Sequence, residues 1–420
     1  MNGPRFLIFV AAAATLAGAE APSIGWQALL GSAQRDPVVL SGTRQLALAS
    51  STELPLLWKD LGARWESKRG DLLVQQANLR LEPLAWGERG ANLSLRANRE
   101  SQSAMRLENA RTKALLERYR LGISWLYQNR QLQYHRLLVQ LHDDRAKVQA
   151  RLVGDPRFDP QDLVNSLQEK VEKEGEVLGD QNDISELEAS LRSLSGLEGR
   201  IELDGNLLPL AKIQSVLATL PVVVDTSFPA RRLESVRLQL AESKYALQAA
   251  KSRSIVSYLE TGWEWDRTVQ SKTDALNRAP WQNLSFGAGI RIPLFNGEAG
   301  ELSRSRGDLE ATRGDFLETH RDLSLRYAAL KAEIGSMIRR KATLDSFATR
   351  MNAGNLFADY AKRADSDPLL VLKARASVLE NSWKSEKLRY EITLRFADIL
   401  ALTGHLGSRP EDNVLLDPQP

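Results

Sequence analysis

The 420-residue sequence contains no cysteine. That excludes disulfides, thiolate metal sites, cysteine nucleophiles and a lipidated N-terminal cysteine, so anything that holds the chain in a membrane must be its own surface. A strong excess of one charge is also missing. The 56 basic residues are interspersed with 53 acidic ones for a formal net charge of +3, which leaves no basic block for nucleic acid. Beyond the N-terminus no run of about 18 apolar residues occurs, so no transmembrane helix is written, and only a β-barrel could span a bilayer. Catalytic constellations are lacking as well. His135 and His142, one heptad apart beside Asp143 and Asp144, could share a helix face and bind a metal, but exposed helix positions account for them more simply. His320 and His405 stand alone. The chain reads as a non-enzyme with no cofactor and no metal site.

What is present begins with Met1-Asn2-Gly3-Pro4-Arg5, the apolar run Phe6 to Leu16 and Ala17-Gly18-Ala19, the three regions of a secretory signal. Residues 1–19 are therefore expected to be a signal peptide. The rest of the chain is written twice. Pro83-Leu84-Ala85-Trp86-Gly87-Glu88-Arg89-Gly90 and Pro293-Leu294-Phe295-Asn296-Gly297-Glu298-Ala299-Gly300 share Pro-Leu-x-x-Gly-Glu-x-Gly, 210 positions apart. Upstream, Gly62 to Glu66 matches Gly262 to Asp266; downstream, Asp155 and Asp365 are again 210 apart. Self-similarity on this scale marks a duplicated architecture.

Proline is absent from 84–155 and 294–367, and an interior proline would kink or end a helix. In the second window Leu302, Leu309, Phe316, Leu323, Leu330, Met337, Leu344 and Met351 recur at every seventh place, a coiled-coil seam. A returning helix continues it through Leu369, Leu372, Ala376, Leu379 and Trp383. In the first half the returning helix begins near Gln161, and Gly175 and Gly179 weaken its pattern. Before the long helices lie strand patterns. Leu284, Phe286, Ala288, Ile290 and Ile292 alternate with polar or glycine residues, the period of two expected where one face meets an apolar medium. Residues 255–266 supply its partner, and 54–66 with 72–84 the equivalent hairpin. Six of nine tryptophans (Trp58, Trp65, Trp86, Trp263, Trp265, Trp281) fall in these hairpin regions, as expected of membrane–water interfaces.

Four strands cannot close a barrel in one chain, so several chains must combine. The duplicated hairpins, the junction Pro293-Leu294-Phe295-Asn296-Gly297, Arg35-Asp36-Pro37 opening the first helix, and the last helix from Ala374 through Leu402-Thr403-Gly404 resemble the outer-membrane efflux (TolC-like) family over nearly the whole mature chain. The resemblance implies a mainly α fold with a β-barrel part. In it a duplicated helix, hairpin and long helical hairpin contributes four strands per chain to a trimeric transmembrane barrel continued by an α-helical coiled-coil tunnel. It implies a homotrimer in the lipid of the cell outer membrane, its tunnel in the periplasm, meeting a periplasmic adaptor protein and an inner-membrane transporter as the passive duct of a tripartite efflux pump or type I secretion system. Two features depart from the family: the lipidated cysteine of many relatives is missing, and the second tip reads Ala364-Asp365-Ser366-Asp367-Pro368-Leu369. A periplasmic adaptor, with one helical hairpin rather than two, or a coiled-coil scaffold are the alternatives.

The expected division is a first repeat over 20–208 (hairpin 54–84, helical hairpin 88–196) and an irregular equatorial linker over 209–229. A second repeat covers 230–404 (hairpin 255–294, helical hairpin 298–404), and a tail covers 405–420. Candidate lipid-facing residues are Leu284, Phe286, Ala288, Ile290 and Ile292; Pro83, Gly87, Gly90, Pro293, Gly297 and Gly300 form the strand-to-helix junctions. The helical turns lie farthest from the hairpins, and the resemblance implies that this end is constricted. Asp155, Asp159, Asp365 and Asp367 are the candidate periplasmic gate, where threefold symmetry would turn each inward acid into a ring of like charges. Aspartate before proline, as at Asp159 and Asp367, is equally ordinary cap chemistry.

Overall fold

The computed structural model describes residues 23–51, 58–67, 74–154, 158–266, 284–290, 297–353, 368–406 and 413–415. Its dominant elements are two long helices, α3 (Glu88–Arg151, 64 residues) and α7 (Gly297–Ala353, 57 residues). At 1.5 Å per residue α3 is about 95 Å long. Gly87, at φ +84°, supplies the left-handed turn before α3, and the Glu88 carboxylate accepts the Ala85 N–H at 2.9 Å. Only glycine makes that turn without strain.

After α3 the chain reverses through Gly154 (φ +96°) into α4 (Pro160–Ser195). Asp159 caps α4, accepting the Gln161 N–H at 2.9 Å with Pro160 in the first turn, and Gly196 (φ +62°) ends it. Gly175 and Gly179 do not interrupt this helix, and a Cβ at either would stand in open space. In the second half α7 is followed by α8 (Pro368–Thr403). Along α7 the seven-residue series is inward as its period requires: Leu309, Leu323 and Leu330 are buried and Leu302, Phe316, Met337 and Leu344 half-buried.

Ahead of each long helix stand a shorter helix and a hairpin: α2 (Pro37–Ser51) with β2 (Trp58–Ser67) and β3 (Val74–Pro83), then α6 (Pro229–Ser252) with β5 (Val256–Asp266) and β6 (Leu284–Ile290). The two hairpins form one antiparallel sheet, in the order β2-β3-β5-β6. Helix α3 packs along α2, α4, α6 and α8, while α7 packs on α6 and α8. The helical layer therefore runs α2-α3-α6-α7 near the sheet and α4-α3-α8-α7 toward the turns.

The waist holds the main apolar core. Strand β1 (Ser23–Ile24) pairs in parallel with β4 (Arg200–Ile201), and α1 (Trp26–Gly31) buries Leu29 and Leu30 beneath them. The segment expected to be an irregular linker contains α5 (Leu210–Thr219), whose Ile213 and Leu217 enter this core. Tyr119, Ile123, Ile334, Ile392, Phe396 and Ile399 close it from the long helices.

Candidate functional site

Sheet register sorts the strand residues into two unlike faces. Leu61 pairs with Leu81, Leu81 with Leu259 and Leu259 with Ala288; Ala63, Leu79, Thr261 and Phe286 form the next row, and Trp65, Ala77, Trp263 and Leu284 the one beyond. Because the side-chain period of a strand is two, every member of these rows lies on one face. That face is apolar except for Thr261, and it is bare: Phe286 is 79% exposed, Trp65 65% and Leu61 62%. Between the two tryptophans, small Ala63 and Ala77 leave an open trough of about 390 Å³.

The opposite face carries Asp60 and Glu82, then Gly62, Arg80, Glu260 and Gly287, then Arg64, Asn78, Gly262 and Ser285, then Glu66, Gln76 and Glu264. Arg80 pairs with Glu82 at 3.2 Å and lies 4.0 Å over the Tyr258 ring; Arg64 pairs with Glu66. A Cβ on Gly262 would stand 2.5 Å from Asn78 Oδ1 and 2.6 Å from Ser285 Oγ, so this glycine makes room for its polar neighbours.

Of the residues singled out from sequence, Leu284, Phe286, Ala288 and Ile290 lie on β6, with Leu284, Phe286 and Ala288 in the apolar rows. Pro83 ends β3, Gly87 and Gly90 open α3, and Gly297 and Gly300 open α7. Asp159 is the cap of α4. Ile292, Pro293, Asp155, Asp365 and Asp367 lie outside the described residues.

The helical hairpins hold polar groups that sequence reasoning assigned to solvent. His135 and His142 are not exposed: both rings turn into the α3–α4 seam. His135 Nδ1 is 2.6 Å from Asp180 Oδ2 and its Nε2 is 3.0 Å from Glu176 Oε2. Asp180, 4% exposed, accepts on its other oxygen from Gln128 and Gln131 at 3.0 and 2.8 Å. His142 Nδ1 lies 3.1 Å from Glu169 Oε2 without the alignment of a hydrogen bond. Burial pushes the His142 ring below its ordinary value against the attraction of Glu169, and Arg145 and Lys173 push the same way. Asp143 is held down at about 2 by hydrogen bonds from Lys147 and Lys170. The missed signal was partner spacing on α4, which a heptad count along α3 alone does not reveal.

Across the waist-side part of the helical layer, Trp383 of α8 stacks between Tyr127 and Tyr134 of α3, at 5.4 and 5.1 Å between centroids. Burial, then Glu380 and Glu176, push the Tyr134 phenol up to about 12. Toward the turns, Asp144, Lys147, Val148 and Arg151 of α3 face Pro368, Val371 and Leu372 of α8 across a cleft of about 360 Å³. Among the described residues no group of three or more histidine, aspartate or glutamate side chains is arranged to hold a metal, and no helix is long and apolar enough to cross a membrane.

This arrangement, a four-stranded sheet with one bare apolar face set on paired helices of 57 and 64 residues, is shared in fold with solved outer-membrane channels. The chain is similar in structure to CusC, described as forming a transmembrane channel on folding, with a TM-score of 0.66 at 12% identity over 90% of this chain and 91% of that one. It is similar to the outer membrane protein VceC of Vibrio cholerae (TM-score 0.64, 14% identity, 90% and 96% covered). The outer membrane channel CmeC of Campylobacter jejuni matches at a TM-score of 0.61 and 10% identity over 92% and 86%. No protein-family model and no curated protein sequence matches the chain. At such identities the likeness is one of fold.

Proposed function

We propose that three copies of this chain form a passive export duct in the bacterial outer membrane, a barrel continued by a helical periplasmic tunnel. The observation that carries the proposal is the two-faced sheet with open edges at β2 and β6. Its apolar rows have no cover among the described residues, and lipid is the medium that accepts such a face. Open edges in lipid would leave backbone N–H and C=O groups unsatisfied, so β6 of one copy must pair with β2 of the next. Four strands per copy make a twelve-stranded ring from three copies, within the known range of barrels. Leu284, Phe286, Ala288, Ile290 and Ile292 then face lipid, and the row of Arg80 and Glu260 lines the lumen. A soluble scaffold or an adaptor has no use for a bare apolar sheet of this size.

In this reading residues 1–19 are removed on secretion, and the helical turns form the periplasmic mouth, where an adaptor and an inner-membrane transporter of an efflux pump or type I secretion system engage. Asp155, Asp365 and Asp367 belong to that mouth; Asp159 is already occupied in capping α4. The test is reconstitution in planar bilayers with chemical cross-linking of the detergent-extracted protein. A trimer with step conductances supports the duct, whereas a stable monomer that washes from membranes with salt overturns it. Asp365→Ala and Asp367→Ala then report the gate: unchanged cation selectivity and divalent-ion block in both variants removes these acids from it.

A further inference from the structure

Each helical hairpin carries a polar layer in its seam at an equivalent place. Gln131 and Lys341 are 210 positions apart, as are His135 and Asp345, which matches the offset of the repeated strand-to-helix junction; Asp180 and Ser385 are 205 apart. In the first hairpin Gln131 and His135 of α3 meet Asp180 of α4. In the second, Lys341 of α7 donates to Asp345 Oδ2 at 2.9 Å and to Ser385 Oγ of α8 at 2.7 Å, and the Ser385 hydroxyl donates to Asp345 Oδ1 at 2.5 Å. Lys341 and Ser385 are both buried. Duplication has kept the place of the layer and changed its chemistry.

That change bears on proton dependence. An ammonium–carboxylate pair keeps both charges throughout the neutral range, whereas imidazole is the side chain whose charge changes there. Both nitrogens of His135 face carboxylate oxygens, at 2.6 Å (Asp180) and 3.0 Å (Glu176). Only the doubly protonated ring donates to both; the neutral ring keeps one bond and turns a lone pair toward the other carboxylate. The charged groups around it are mainly acidic. From α4 come Glu176, Asp180 and, through Gln128, Asp183, with Lys173 held on Glu176 at 2.7 Å. From α8, Glu380 acts on Tyr134, whose ring is 5.4 Å from that of His135.

We infer that His135 is a proton-operated clasp: protonated, it bolts α4 to α3, and its deprotonation loosens the first helical hairpin while Lys341, Asp345 and Ser385 hold the second unchanged. One heptad nearer the turn, His142 lies 3.1 Å from Glu169 without an aligned hydrogen bond and does not substitute for the clasp. The hairpins of one protomer thus differ in their response to pH, a difference that stands whether or not the protein conducts.

Hydrogen exchange of the full-length, detergent-solubilised protein tests this, with protection expressed relative to the unstructured chain so that intrinsic pH effects cancel. Between pH 5.5 and 8, protection in 128–139 and 173–184 should fall about five- to tenfold, the scale of one net hydrogen bond, while 338–348 and 382–388 stay constant. His135→Gln should hold the first hairpin at its low-protection value at every pH. Equal pH dependence in both hairpins overturns the inference, as does a His135→Gln protein that keeps the wild-type pH dependence. If that variant does not assemble, the comparison of the two hairpins within the wild-type chain decides alone.

Discussion

Arg118 is 1% exposed in the middle of an apolar waist, and its guanidinium is fully employed there. It donates to Ser32 Oγ at 2.8 Å, Ala114 O at 2.9 Å, Leu194 O at 3.1 Å and Ser32 O and Asp36 Oδ2 at 3.3 Å. One side chain thereby ties the start of the chain, the middle of α3 and the end of α4. Arg118→Met removes the cation, and with it the ion pair to Asp36 and the bonds to the Ser32, Ala114 and Leu194 carbonyls, and breaking a buried pair from one side costs about 3–5 kcal/mol. The urea midpoint of the solubilised protein should fall accordingly; a shift no larger than that of a surface arginine would show the network to be idle. Gly122 is a second fixed point, because a Cβ there would stand 2.6 Å from the Trp26 ring. Gly122→Ala should cost about 1–3 kcal/mol through overpacking. At His142 the sign is that of a buried base whose folded value is lowered. The folded state then binds fewer protons than the unfolded chain, so its stabilising contribution is complete above the unfolded value near 6.5 and is lost as pH falls through the lowered folded value. His142→Gln should flatten the acid side of a plot of urea midpoint against pH.

Among elements, the sheet yields the sharpest contrast. Phe286 and Gln76 are both strand residues, yet one lies in an apolar row and the other between Glu66 and Glu264 on the polar face. Phe286→Arg should oppose membrane assembly by roughly 2–4 kcal/mol if its row lies near the bilayer midplane, whereas Gln76→Arg gains acidic neighbours. Equal yields of heat-resistant oligomer from the two variants would count against a lipid-facing sheet. The alternation at Leu284 to Ile290 and the sevenfold series along α7 were legible in the sequence because each is a local period tied to one burial direction. The pairing of β3 with β5 was not, since it joins residues far apart in the chain, and strands of two residues such as β1 and β4 carry no period at all. The polar layers escaped for a related reason. His135 reads as an exposed helical residue until α4 is laid against α3 and supplies Asp180, and nothing in the local pattern near Gly175 and Gly179 sets that alignment.

On the scale of the whole molecule, the proposed assembly turns on how copies would meet, and the chain exposes two unlike edges. Helix α4 on one side leaves Val164, Leu167, Val171 and Leu178 exposed; α7 on the other leaves Leu317, Leu325 and Phe347. Unlike edges that join head to tail generate a closed ring if the rotation closes and an open filament if it does not. The equivalent polar layers set the level at which the edges should meet. Asp180 on α4 corresponds to Ser385 on α8, which bonds Asp345 on α7, so Asp180 and Asp345 stand at one height. Two residues toward the turns from each are Leu178 and Phe347, exposed on the opposite edges. The native chain contains no cysteine, so a Leu178→Cys, Phe347→Cys protein carries only the two introduced thiols, and copies joined edge to edge should link position 178 of one to position 347 of the next under mild oxidation. Non-reducing electrophoresis should then show dimer and trimer and nothing larger, with each single variant remaining monomeric on the gel. A ladder extending past trimer would mean that the edges join without closing. No cross-link in a protein that still assembles would place the contact at another height, and with it the assumed equivalence of the two hairpins would fall.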